Sequence, residues 1–428
     1  MISSLSPHIL HRDYAAHLDK LDPLARFRNE FYLPLTEQGG IQNYFCGHSL
    51  GLQPKRTANL MSEELQRWQQ KGVAGHFTGI RPWLSYHEQL TPVLAELCGA
   101  LPVEVVAMNS LSVNLQLLLI SFYRPTEQRY KILIEANAFA SDRYAVSAQL
   151  KLHGHDPQHD LIEIRPRPGE QLIRTEDLLE VIDREGHRIA TVLLPGVQYL
   201  TGQLFDMETI TERAQQQGCI VGFDLAHAIG NVPLQLHAWN VDFAVWCSYK
   251  YLNSGPGAIG GAFVHERYAQ DFTRPRLSGW WGHEKHSRFN MPHEFMPLPG
   301  AEGWQLSNPS IFACAPLLSS LEIFKQAGLP ALRSKSIQLT GYLTTLLAAQ
   351  CPQIQIITPA STQERGCQLS LRLPLSAHHA KRIYDQLLCQ GVVCDWREPD
   401  IIRAAPVPLY NTFQDVWHLV QSLEGLLQ

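Results

Sequence analysis

The chain has 428 residues, 45% hydrophobic and 18% charged, with 35 Lys and Arg against 40 Asp and Glu and a formal charge of -5. That length suffices for one large core or two. The charges are spread along the whole chain, so no basic stripe exists for nucleic acid or an anionic membrane, and the expected partner is a small molecule.

The opening MISSLSPHILHRDYAAHLDK lacks the basic start and unbroken apolar run of a secretory signal, and the longest apolar run, near residues 115–120, is too short to span a bilayer. A cytoplasmic protein without membrane contact is expected. The nine cysteines are odd in number and form no C-x-x-C pair, as suits reduced thiols rather than a disulfide framework. Cys219 and Cys247, inside apolar stretches, read as small buried hydrophobes.

In chain order, residues 55–71 predict a helix that starts after Pro54, carries Met61, Leu65 and Trp68 at helical spacing and stops at Gly72; residues 86–98 predict another, ended by Gly99. From about residue 103 to 265, the apolar stretches EVVAM, YKILIE, LIEI, ATVLLP, CIVGFD and FAVWC are interspersed with the amphipathic stretches VNLQLLLISFY, SDRYAVSAQL, TEDLLEVIDRE and METITERAQQQ. Such alternation predicts an α/β fold, a mainly parallel sheet with helices on both faces, because right-handed crossovers place them there. Ligands of such sheets bind outside the carboxyl ends of the strands. Residues 272–309 are rich in Trp, Pro, Gly and His without periodicity, a loop long enough to imply a site or an interface. Helices over residues 311–327 and 332–349, strands in IQIIT, CQLSLRL, GVVCD and IIRAAP, a helix over 378–390 and a last helix from Phe413 predict a smaller α+β unit. The expected division is 55–310 for the large domain and 311–428 for the small one, with residues 1–54 packing on the latter.

Two strand ends carry the chemistry. CIVGFDLAHAIG ends its strand at Asp224 with His227 three residues on, and the next strand runs out at Ser248-Tyr249-Lys250, 26 residues after Asp224. A carboxylate and an amine at neighbouring strand ends suit pyridoxal phosphate, with Lys250 as Schiff-base lysine and Asp224 keeping the pyridine nitrogen protonated. Taken singly, Asp224 reads more simply as a helix cap and Lys250 as a solvated loop residue; the spacing and the Ser-Tyr-Lys tripeptide together favour the cofactor. AMNSLSVNLQLLL ends a strand and opens a helix with Ser110 and Ser112, a place for a phosphate or merely a cap. Phe139, in EANAFASDRYAV, can stack on a flat ring, but from the residues alone core packing is the simpler reading; Asp142 opens the same helix.

GPGAIG (residues 255–260) matches the dinucleotide pattern G-x-G-x-x-G, yet GAFVH after it reads as a strand and no strand-ending acid follows at the required distance. These glycines read as a tight turn beside Lys250. The histidines of HGHDPQHD (153, 155 and 159) and of HEKH (283 and 286) lack H-E-x-x-H or C-x-x-C geometry, so no metal is expected, and His283 stays as a substrate contact. Arg403 interrupts the apolar strand IIRAAP, where it either grips a substrate carboxylate or forms a structural salt bridge.

These stretches, together with SLGLQPK, GHFTGIRPW, GWWGHE, GVVCDWR and RAAPVPLYN, all in order along the chain, resemble the kynureninases, fold-type I pyridoxal-phosphate enzymes of the aminotransferase class V kind. The resemblance implies hydrolysis of L-kynurenine or 3-hydroxykynurenine to an anthranilate and L-alanine, a step of tryptophan catabolism. It also implies residue roles. Lys250 would carry the cofactor, Asp224 would pair with its ring nitrogen with His227 beside it, and Leu111 and Ser112 would hold the phosphate. Phe139 would stack on the ring within the run Phe139, Ala140, Ser141 and Asp142, and Tyr249 would bind phosphate and relay protons. Trp280 and Asn308 would reach over from a neighbouring subunit, so that a homodimer is the functional unit. Arg403 would take the amino-acid carboxylate, with His76, Ser49, His283 and Asn308 near the aromatic ring. Two departures stand out: Pro195 replaces the family's Ser or Thr, and the family's GNSLG reads GHSLG, with His48 for asparagine. Other readings are a cysteine desulfurase-like lyase, which needs a mobile nucleophilic cysteine not seen here, and a catalytically silent binding protein.

Overall fold

The computed structural model describes residues 7–428. Ahead of the main sheet lie α1 (Arg12–Leu21), the two-residue β1 (Asn43–Tyr44), α2 (Thr57–Lys71) and α3 (Thr91–Cys98). α3 ends on Gly99 in the left-handed conformation, where a Cβ would meet the Leu234 carbonyl at 2.2 Å. The helix expected over residues 86–98 is interrupted: Trp83–Gln89 is a 3-10 turn, and Pro92, which has no N–H to continue a preceding helix, sits in the first turn of α3.

The large sheet follows from β2 (Val105–Ala107), α4 (Leu111–Phe122), β3 (Lys131–Glu135), α5 (Ala140–Leu152), the short α6 (Pro157–Asp160), β4 (Leu161–Ile164), α7 (Thr175–Glu185), β5 (Ile189–Pro195), α8 (Met207–Gln216), β6 (Ile220–Asp224), β7 (Phe243–Trp246) and β8 (Gly261–Val264). Its order is β2-β8-β7-β6-β5-β3-β4. β7, β6, β5, β3 and β4 pair in parallel, whereas β8 runs antiparallel to both β2 and β7. β8 reverses because a glycine-rich connection without a helix, rather than a crossover, leads into it. Alternation along the strands divides the core: Ile132, Ile134, Phe243 and Val245 face α4 and α5, while Leu133, Val192, Leu194, Val221 and Ala244 join Leu178, Ile210 and Ala214 of α7 and α8.

Beyond it come α9 (Ile311–Ala327), α10 (Leu329–Gln350), β9 (Gln355–Ile356), β10 (Leu369–Arg372), α11 (Ala377–Cys389), β11 (Val392–Val393), β12 (Asp395–Arg397), β13 (Ile401–Ala404) and α12 (Phe413–Leu427). The small sheet has the order β12-β13-β10-β9, all antiparallel, and β1 pairs in parallel with β11. GVVCD therefore serves two sheets, β11 and β12 flanking buried Cys394. The boundary expected at residue 311 is not where the packing changes. α9 is apolar on nearly every side and buries Cys314, Leu317, Leu321 and Phe324 in the large core, and α10 passes from that core at Leu332 into the small one from Leu339 onward. α1 lies on the small unit: Tyr342 Oη donates to the Ile9 carbonyl at 3.2 Å, Trp417 Nε1 to Leu10 at 2.9 Å, and the Asp19 carboxylate accepts from the Phe413 and Gln414 amides that open α12.

Residues 272–309 contain nothing longer than 3-10 turns, and cations fasten them down. The Arg276 guanidinium lies 4.0 Å from the Trp304 ring centre, Arg288 lies 4.2 Å from that of Trp281, and Lys285 Nζ bridges Glu88 and Glu302 at 3.0 and 2.9 Å. Among the described residues, no helix is long and apolar enough to cross a membrane.

Gly222, in the middle of β6, stands opposite Phe243 of β7, whose ring a Cβ would meet at 2.2 Å. Gly222→Ala is expected to cost about 1–3 kcal/mol by overpacking. The check is urea denaturation, with a lower midpoint at an unchanged slope.

Candidate active site

The parallel register sets Pro195 beside Asp224 and Asp224 beside Val245, so the ends of β5, β6 and β7 lie in one row, with Lys250 four residues beyond β7. Glu135 from the end of β3, Pro195, Asp224 and Lys250 line one open cleft of about 520 Å³. Leu111 and Ser112 from α4 and Phe139, Ser141 and Asp142 from the start of α5 line it as well, and Val197, Tyr199, Ala226, His227 and Tyr249 complete it.

Among the described residues, no carboxylate pairs with the Lys250 amine. Lys250 Nζ lies 3.1 Å from His227 Nε2 and 5.8 Å from the ring centres of both Phe139 and Tyr249. Burial, reinforced by the Lys250 and Arg403 charges, drives the His227 pKa well below its ordinary value, so the imidazole is neutral and accepts from the amine. Asp224 is buried, and its Oδ1 accepts from the Ala226 amide at 2.7 Å. Beside it, burial and then the Asp224 charge push the Asp142 carboxyl well up, and burial raises Asp224 too, so Asp142 is the one of the pair favoured to stay protonated. Burial also raises the Tyr249 phenol, with Cys247 adding to it, and the hydroxyl keeps its proton.

Two helices point their N-termini into the cleft. Ser112 and Ser141, the second residues of α4 and α5, bring their Oγ atoms to 2.7 Å. Ser110 makes no side-chain capping bond and Phe139 has none to make, so the free N–H groups and the positive dipole ends are left for an anion. The capping alternative for Ser110 is thereby overturned. Gly260 allows the approach: a Cβ there would stand 3.1 Å from the Leu111 nitrogen and 2.9 Å from the Trp246 carbonyl. Gly255 and Gly257 take positive φ as turn residues, and strand β8, not a helix, follows. Phe139 is 46% exposed and edge-on to Tyr199 at 5.5 Å, so its ring serves the cleft rather than the core. An anion cradle, an aromatic face, a carboxylate and an amine fit pyridoxal phosphate, and Asp142 Oδ1 and His227 Nδ1, buried without partners, leave polar capacity open.

Arg403 is 1% exposed and forms the structural ion pair that was one of its two readings: its Nε and Nη2 lie 2.8 and 2.7 Å from Asp395 Oδ1, and Nη1 donates to the Tyr199 carbonyl. Its charge nevertheless reaches His48 and His227. His48 is buried with both ring nitrogens unpartnered, 6.3 Å from the His227 ring. Ser49, His76, Trp280, His283 and Asn308 do not line the cleft. Trp280 and Asn308 are exposed, and His76 belongs to a separate aromatic hollow with Trp68, Trp83 and Phe312. His283 is buried with both nitrogens used inside its own loop: Nδ1 accepts from Met296 and Nε2 meets Ser287 Oγ, each at 3.0 Å. Within one chain it has no free atom for a substrate. Glu135 and Tyr199 were not anticipated. Glu135 ends its strand as Asp224 does, a signal available in KILIE; Tyr199 lies in a loop with no pattern to reveal it.

A family model described as "Kynureninase C-terminal domain" matches residues 332–423. Curated kynureninases of Koribacter versatilis and Myxococcus xanthus are each 54% identical over 96% of this chain and 96% of their own length; that of Nematostella vectensis is 48% identical over 97% and 94%. Among solved structures, a C-DES mutant with glycine covalently linked to its PLP cofactor superposes with a TM-score of 0.75 at 17% identity, covering 90% of this chain and 96% of that one. The Escherichia coli cysteine desulfurase CsdA gives 0.76 at 16% identity, covering 94% and 98%. At that identity the likeness establishes the fold-type I architecture, whereas identity above one half along nearly the whole length says more: this chain belongs to the kynureninase family.

Proposed function

We infer that the protein is a pyridoxal-phosphate-dependent hydrolase that takes L-kynurenine, or its 3-hydroxy form, and water to anthranilate, or 3-hydroxyanthranilate, and L-alanine. One observation carries the reading: the Lys250, His227 and Asp224 cleft stands in a chain 54% identical to curated kynureninases. The bound cofactor supplies an aldehyde for the substrate amine and a protonated ring that draws electrons from carbon.

The chain's own residues do the rest. Lys250 would hold the cofactor and, once released, carry the α-proton, its amine steadied by neutral His227. Asp224 would keep the ring nitrogen protonated, with the Asp142 proton stabilising the Asp224 charge from behind. Tyr249, which retains its phenolic proton, suits the acid role at the leaving carbon. Leu111, Ser112, Ser141 and the adjoining Ala140 amide would bind the phosphate, Phe139 would stack on the ring, and Arg403 would take the α-carboxylate. Trp280 and Asn308, exposed here, would complete a neighbour's site in a homodimer, and His76 and Ser49 would approach the substrate ring. Eight of the nine cysteines are buried and all are free, which suits a reducing cytoplasm.

A desulfurase reading lacks its nucleophile. No cysteine lines the cleft, and the exposed one, Cys389, ends α11.

Purified holoenzyme given L-kynurenine is expected to release anthranilate, read by fluorescence, and alanine in equal amounts. Bound cofactor without alanine would sink the assignment. Lys250→Ala should abolish turnover, and Tyr249→Phe should lower kcat by roughly 10²–10⁴-fold while cofactor absorbance persists.

Glu135 adds a pH signature. Burial, partly offset by the hydrogen bond from Gln198 Nε2 at 3.4 Å, raises its pKa from 4.5 to about 7. The folded state therefore binds more protons than the unfolded one between these values, and stability falls as pH rises through that window. Glu135→Gln should remove this slope and be the more stable protein at pH 8, by up to about 3 kcal/mol. Denaturation midpoints that follow pH in parallel for both proteins would refute it.

A further inference from the structure

The cleft has a cationic flank whose stoichiometry exceeds one arginine. In the small sheet, Asp395 of β12 stands directly opposite Arg403 of β13, and Arg397, two residues along β12, shares the face of Asp395. Arg397 Nε donates to Asp395 Oδ1 at 2.9 Å, the same oxygen that accepts from Arg403 Nε and lies 2.7 Å from Arg403 Nη2, and its Nη2 reaches Oδ2 at 3.4 Å. One carboxylate thus lies between two guanidinium groups. Of the five N–H donors of Arg403, Nε donates to Asp395 and one on Nη1 to Tyr199, while Nη2 is in ion-pair contact with Asp395 at 2.7 Å, which leaves N–H groups on both terminal nitrogens for a second carboxylate.

The unit adjoins the cleft. Arg403 Nη1 holds the carbonyl of Tyr199, the Arg397 guanidinium lies 5.8 Å from the Tyr199 ring centre, and that ring meets Phe139 edge-on. Both arginines depress the pKa of His227, the neighbour of Lys250, so their field extends to the reacting end of the cleft. Arg403 alone with Asp395 would be a neutral buried pair, and bringing an anion to such a pair carries a desolvation cost with little net attraction to offset it. Arg397, with 37% of its side chain exposed, restores the missing charge.

We propose that Arg397 is a specificity-determining residue for the substrate's α-carboxylate: Arg397, Asp395 and Arg403 act as one unit of net charge +1, in which Arg397 satisfies Asp395 so that Arg403 can accept a monoanionic carboxylate. The inference rests on the reading of Arg403 given under Proposed function. It also assigns Asp395 a part, as the counter-charge that sets the unit to a single anion.

The test separates charge from packing. Steady-state KM and kcat for L-kynurenine, and inhibition by its decarboxylated amine, kynuramine, are measured for wild type, Arg397→Gln, Arg397→Lys and the double variant Asp395→Asn/Arg397→Gln, which returns the unit to +1. Arg397→Gln should raise KM on the order of tenfold, more than it lowers kcat, and leave kynuramine inhibition within about twofold, since that ligand has no carboxylate to lose. Arg397→Lys should lie close to wild type. The double variant should recover most of the KM, and KM should climb less steeply with salt in Arg397→Gln than in wild type. Equal losses for kynurenine and kynuramine, or a double variant no better than the single one, would overturn the proposal in favour of a packing role. If wild type failed to cleave kynurenine, binding of L-alanine, followed by cofactor absorbance, would still decide: weaker binding in Arg397→Gln would keep this inference while the proposed reaction fell, and unchanged binding would remove both.

Discussion

Lys250 keeps a half-buried amine against a neutral imidazole rather than a carboxylate, and the arrangement around it depends on that choice. A carboxylate within bonding distance would fix the ammonium and remove it from chemistry. Here the negative charge is displaced to Asp224, at the end of the adjacent strand, where it acts on the cleft without capturing the amine. Asp142 holds the proton that makes the Asp224 charge tolerable in a buried site, and the N-termini of α4 and α5 add positive potential. The cleft thus holds an acid at Asp224 together with the N-terminal ends of α4 and α5, a combination suited to a group that carries a basic nitrogen and a phosphate.

That polarity is of use only if the small sheet stays against the large one. The contact is made through the loop after β5. Arg403 donates to the Tyr199 carbonyl, Gln368 to the carbonyls of Tyr199 and Leu200, and Ser370 Oγ to that of Leu200. Gln198 turns its own amide inward, accepting from the Leu200 and Thr201 amides while its Nε2 faces Glu135. The segment that brings Tyr199 to the cleft is therefore held by both sheets at once. Arg403 is tied to the Lys250 cleft for the same reason, and the Arg397 and Arg403 charges reach His227 beside Lys250.

Much of this was open to reading in one dimension. Strand and helix periods place Asp224 and Lys250 just beyond apolar runs, and parallel sheets gather such positions at one edge, so the amine and the acid were legible before any contact was seen. GAFVH was legible as a strand from its composition, whereas its antiparallel direction was seen only in the pairing with β2 and β7. The boundary at residue 311 was not: α9 and α10 are both apolar helices, and nothing in their periods says which core each one enters. Glu135 escaped although it ends a strand as Asp224 does, because a lone acid at the start of a loop is usually solvated and only its near-complete burial at the cleft wall distinguishes this one.

By itself, the sequence determined the identity and order of the chemical groups: which strand ends carry an amine, an acid and a histidine, which helix starts carry small hydroxyls, and where glycines relieve the backbone. These are local properties, written in the period and composition of a few neighbouring residues. Tertiary structure alone decided which of two neighbouring acids keeps its proton, that His283 spends both nitrogens within its own loop, and that Asp395 sits between two arginines across a β-ladder. Those outcomes depend on burial and on distances between residues far apart in the chain, and a shift of one position in a strand's register would have turned the Asp395 and Arg397 side chains to the opposite face.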